Sequence, residues 1–331
     1  MESQANKHSQ LGRSLPEPSS VHDAYYHNFG AALDYQARGF HIDAVRCAEP
    51  GELLTAAERP RSGLFGVSQH LDRRYEFQPT LDPVSNLNLV ELRDPGAAAL
   101  ALVFFSKTGL MYRTLGEDPS WYGYAVKRPV PSQVVTDPTH PERTLFIVHG
   151  TGARVPLPSS SPPTGPWLVY RLHDLPARVH PYGFNKMLGV VCAASALVQA
   201  YVGRGYGAEF AKALTDYLRA RKWTRASARL FVETIAEAAG DVDVAQMAYA
   251  GHFARKPRMD NDQVFDLLAG SAHAQLWSRV SDGLSEDPRL IQQRYQLDPW
   301  STIAFVERVE AMECHERYHH GSPGVPDVST C

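Results

Sequence analysis

"GRGYGAEFAKALTDYLRARKWTRASARLFVETIAEAAGD", residues 203–241, is the stretch on which the fold turns. It reads as two amphipathic helices in succession. Phe210, Leu214, Tyr217 and Leu218 form the apolar stripe of the first. In the second, Ala228, Phe231, Val232, Ile235 and Ala239 recur at i, i+3, i+4, i+7 and i+11, the 3.6-residue period of a helix with one buried face. Thr224 is placed to cap its N-terminus, and Trp223 just before it to pack back as a staple. Gly240 is placed to end it in the left-handed conformation. The half of the chain around this stretch, about residues 184–320, is therefore expected to be helical.

Outward from it, the texture stays helical on both sides. "KMLGVVCAASALVQAYV", 186–202, is apolar on nearly all faces and reads as a central buried helix. A shorter helix is expected through Met247 and Tyr249, and another behind the Asp/Asn cap of "MDNDQVFDLLAG". From about 22 to 180 the pattern changes to short apolar runs punctuated by Pro and Gly, the signature of strands and loops. "HNFGAALDYQARG" reads as a helix before the alternating strand "FHIDAV". "GLFGV", "LNLVEL", "ALALVFF", "LFIVH" and "WLVYRL" are further strand expectations, with "VPLPSSSPPTGP" as a surface loop. The fold expectation is α+β: a mixed-sheet N-terminal domain over 22–180, then an all-α domain over 184–320. Polar tails at 1–21 and 321–331 are expected to be disordered.

Composition sets the class. The chain has 331 residues, enough for two ordinary domains, and its 44% hydrophobic and 21% charged residues are those of a globular protein. A net charge of −3 excludes a polybasic chain but leaves room for a local basic surface. Four widely spaced cysteines, Cys47, Cys192, Cys314 and Cys331, lack CxxC spacing and read as free thiols of a reducing compartment. No apolar run of about 18 residues and no signal-peptide pattern is visible, so the expected location is cytoplasmic, with no membrane partner.

The residues of 203–241 also resemble the small helical domain that follows the primase-polymerase domain in replication proteins of phages, plasmids and integrated elements. Gly203-Arg204, Ala213-Leu214 with Leu218, Trp223-Thr224 and Ala238-Ala239-Gly240-Asp241 occupy the places of that pattern over roughly 40 residues. The resemblance implies an archaeo-eukaryotic primase-like domain upstream, and "AALDYQARGFHI", 31–42, fits its opening motif. It further implies an Asp-x-Asp strand that holds Mg²⁺ or Mn²⁺ for nucleotidyl transfer. "LALVFFSKTG", 100–109, would be that strand, but Phe104, Phe105 and Ser106 stand where carboxylates belong. In "TGPWLVYRL", 164–172, Tyr170 and Arg171 match the nucleotide-binding motif and Trp167 replaces its histidine. The implied protein is a primase-like DNA replication protein, degenerate in its catalytic motifs. DNA and a separately encoded helicase would be its partners.

Other constellations compete. Glu91 and Asp94 in "LVELRD" are the remaining candidate carboxylates, although their spacing puts them on opposite faces of a strand. Arg219, Arg221, Lys222, Arg225 and Arg229 gather around Trp223 and form a candidate nucleic-acid contact. "FIVHGTGA", 146–153, resembles the oxyanion turn of α/β-hydrolases, for which Ser195 in "CAASAL" is the sole downstream nucleophile candidate. The bland reading of that turn is a strand end, with His149 and His173 as structural or surface histidines. His315 and His319 share a helix face but lack further metal ligands nearby. A non-catalytic nucleic-acid-binding or scaffold protein, and a divergent α/β-hydrolase, are the alternative functions.

Overall fold

The computed structural model describes residues 42–46, 75–81, 86–114, 120–128, 130–137, 140–150, 153–155, 167–169, 176–204, 207–251, 280–295 and 297–320. They fall into two compact units. The expected helices at 27–39 and 259–270, the strand "GLFGV", the Pro/Ser loop after Val155, His173 and both tails lie outside the described residues.

The first unit holds the strands. A three-stranded antiparallel sheet runs in the order β1 (Ile42–Arg46), β2 (Tyr75–Leu81), β8 (Ala153–Arg154). The larger sheet uses β3 (Leu87–Leu92), β4 (Leu110–Thr114), β5 (Ser120–Val126), β6 (Gln133–Thr136), β7 (Thr144–His149) and β9 (Trp167–Val169) in the order β6-β7-β3-β5-β4-β9. β10 (Ala177–Val179) joins it parallel to β5, so the sheet is mixed, as expected. β3 is buried along its whole length, which marks a strand covered on both faces. Asn88 is fully buried within it because its amide satisfies both backbone groups of Val130: Nδ2 donates to the carbonyl and Oδ1 accepts from the N–H, each at 3.2 Å. Thr108 ties the far side, its hydroxyl donating to Gly123 O at 2.5 Å and accepting from Ala177 N at 3.0 Å.

The second unit holds the helices: α1 (Pro95–Phe104), α2 (Pro181–Arg204, from Tyr182), α3 (Gly207–Ala220), α4 (Arg225–Ala238), α5 (Val242–Tyr249), α6 (Pro288–Tyr295) and α7 (Ala304–His320). The reading of α3, α4 and α5 is met closely. Thr224 Oγ1 accepts from Ser227 N at 3.0 Å, and Gly240 adopts φ +82°. Trp223 is fully buried, donates its indole N–H to Leu284 O at 3.2 Å, and packs edge-on against Phe231 at 5.3 Å. Phe104, Phe231 and Phe305 complete this aromatic core, with Phe104 lying 5.4 Å from Phe231 and 5.2 Å from Phe305.

Three expectations are corrected. "ALALVFF" is not a strand but most of helix α1. Pro95 at its first position and the alanine run that follows favour a helix more strongly than the apolar character of the run favours a strand. Phe104, Phe105 and Ser106 are consequently core residues of the helical unit, with Ser106 Oγ donating to Met187 Sδ at 3.1 Å. The pairing of "LALVFF" with "WLVYRL" that a primase-like cleft would need is not formed; β9 pairs with β4. Cys314 is disulfide-bonded, so the four cysteines are not all free thiols. Among the described residues, α2 contains a 21-residue stretch, Pro181–Tyr201, of mean hydropathy 1.2 that passes as a membrane span by length and composition, but it is 61% buried within the protein, as in a core helix.

Candidate functional site

Glu91 is the titratable group that the strand pattern buries most deliberately. It lies near the end of β3, paired with Trp121 on β5 and Ile147 on β7, so these three share one face of the sheet. Tyr112 extends the row through its pairing with Trp121, and His149 sits on the same face opposite Leu89. A carboxylate placed among such neighbours needs partners for both oxygens. It has them: the Arg93 guanidinium pairs with Oε1, and His149 Nε2 lies 2.8 Å from Oε2. His149 is held in a second direction by stacking on Trp121 at 5.3 Å, and Trp121 in turn stacks on Tyr112 at 5.6 Å with nearly parallel planes.

The glycine turn after His149 serves this corner. Gly150 N donates to Ser132 Oγ at 3.0 Å, and a Cβ at Gly150 would overlap the Val130 carbonyl and the backbone of Pro131 and Ser132. The glycine is needed for close approach between two backbone segments. Thr151 and Gly152 lie outside the described residues. Ser195 is in the middle of α2, buried, and at no strand-to-helix elbow. The oxyanion-turn reading therefore has neither its nucleophile nor, in this largely antiparallel sheet, its architecture.

Asp94 stands two residues beyond the end of β3, next to Pro95 of α1, and is buried. Glu91 and Asp94 thus do not form a carboxylate pair on one strand. Glu91 has one oxygen on a guanidinium and the other on an imidazole, and the described residues contain no group of three His, Cys, Asp or Glu placed to hold a metal ion. This donor set does not fit the two-metal chemistry implied by the primase resemblance. What the arrangement can do is neutralise a buried carboxylate and fix the orientation of an imidazole.

Tyr170 and Arg171 lie outside the described residues, as does the side chain of Trp167. Of the five basic residues named near Trp223, three are turned inward. Arg219 donates to Trp223 O at 2.6 Å, Arg221 to Ser281 O at 2.9 Å, and the buried Arg229 to Tyr249 O at the end of α5. These guanidiniums satisfy carbonyls near helix ends, a use that follows from the orphan acceptors there. Lys222 and Arg225 are the exposed members. His315 is exposed on α7, and the side chain of His319 is outside the described residues.

Residue reading alone missed His149 as the partner of Glu91 and missed the roles of Trp121 and Tyr112. The signal was present in the alternation of "LNLVEL" and "TLFIVH", but the pairing joins residues 58 positions apart, which periodicity does not report. Comparison with known protein families, curated proteins and solved structures finds no match to this chain.

Proposed function

We propose that this chain is a nucleic-acid-binding replication protein of a phage or mobile element, related in plan to primase-polymerases but not performing their nucleotidyl transfer. The observation that carries the loss of transfer is the state of Glu91. Its two oxygens are occupied by Arg93 and His149, where a polymerising site would need carboxylates open to divalent metal. What supports the replication setting is the likeness of the residues of 203–241 to the helical domain of such proteins; within that stretch Thr224 caps α4, Trp223 is buried and Gly240 adopts φ +82°. DNA is the partner under this reading, and a separately encoded helicase would act with it.

The test is a primer-synthesis and extension assay with Mg²⁺ or Mn²⁺, run beside a salt-dependent DNA-binding titration. The expected outcome is binding that weakens with salt and no synthesis. Synthesis lost on Glu91→Gln would establish an active enzyme instead. Absence of both binding and synthesis would overturn the nucleic-acid reading.

A further inference from the structure

We draw no further inference here: the strongest candidate, the solvent-facing side of α1, where Leu102 is 61% exposed on a helix without a single polar side chain, carries nothing because nothing in the structure shows what covers it.

Discussion

Two glycines show how differently the same residue type is used. Gly240 has φ +82° and nothing within 4 Å of where a Cβ would stand, so its requirement is purely conformational. Gly150 is crowded instead, with the backbone of Val130 to Ser132 lying where its Cβ would be. Gly240→Ala should therefore cost about 1 kcal/mol, the strain of a left-handed non-glycine residue. Gly150→Ala should cost about 3 kcal/mol, since backbone cannot swing aside as a side-chain tip can. Urea titrations of both variants measure the contrast, and equal losses would remove the close-approach role assigned to Gly150. At Glu91 the expectation concerns charge. Glu91→Gln keeps the shape but removes the charge that pairs with Arg93 and His149, and should destabilise the protein by about 1–3 kcal/mol. Oligonucleotide binding should be unaltered, because the side chain is buried. Unchanged stability in the same titration would mean that the pairing contributes little.

At the scale of elements, α4 was legible because its signals are local. A cap, a staple residue, a 3.6-residue stripe and a stop glycine all lie within 18 residues, 223–240, and all agree. α1 was not, because a ten-residue apolar run has no polar face to reveal its period, and only Pro95 and the alanines distinguish it from a buried strand. The Glu91–His149 contact was hidden for another reason: it depends on which strands are neighbours, and strand order is decided by packing across the whole sheet. What the stripe of α4 did not foretell is Glu233, buried on that same helix. Burial pushes its carboxyl above the ordinary 4.5, against the opposing pull of Arg308 3.2 Å away, with Glu237 raising it further and Arg229 lowering it. A folded-state value raised above the unfolded one gives stability that is present below pH 4.5 and is lost as pH rises through the folded value. Glu233→Gln has no such loss. Its stability relative to the unaltered protein should therefore improve from pH 4 to pH 7, as followed by thermal midpoints across that range. A constant difference would show that Glu233 titrates normally.

For the molecule as a whole, the chain order and the compact units do not coincide. The boundary near residue 181 is where the strand-rich and helical textures meet, yet the helical unit also takes in Pro95–Lys107 and Val135–Leu145 from the first half. The first of these inserts is α1, and it is not peripheral. Phe104 is in ring contact with both Phe231 of α4 and Phe305 of α7, and it is almost wholly buried. Lys107, just after it, pairs with Glu307 of α7 at 2.6 Å, and Ser106 bridges to Ile303. Deleting one phenylalanine from such a core costs about 3–5 kcal/mol, comparable to the whole stability of a modest domain. A fragment of residues 182–331 lacks that ring and the rest of α1 with it. It should retain helical far-ultraviolet circular dichroism but lose the near-ultraviolet signal of packed Trp223 and unfold without a sharp transition. Fusing residues 95–107 to its N-terminus through a flexible linker should restore both. A fragment 182–331 that already unfolds cooperatively, with the Trp223 signal intact, would show that α1 is dispensable and that the helical half folds by itself.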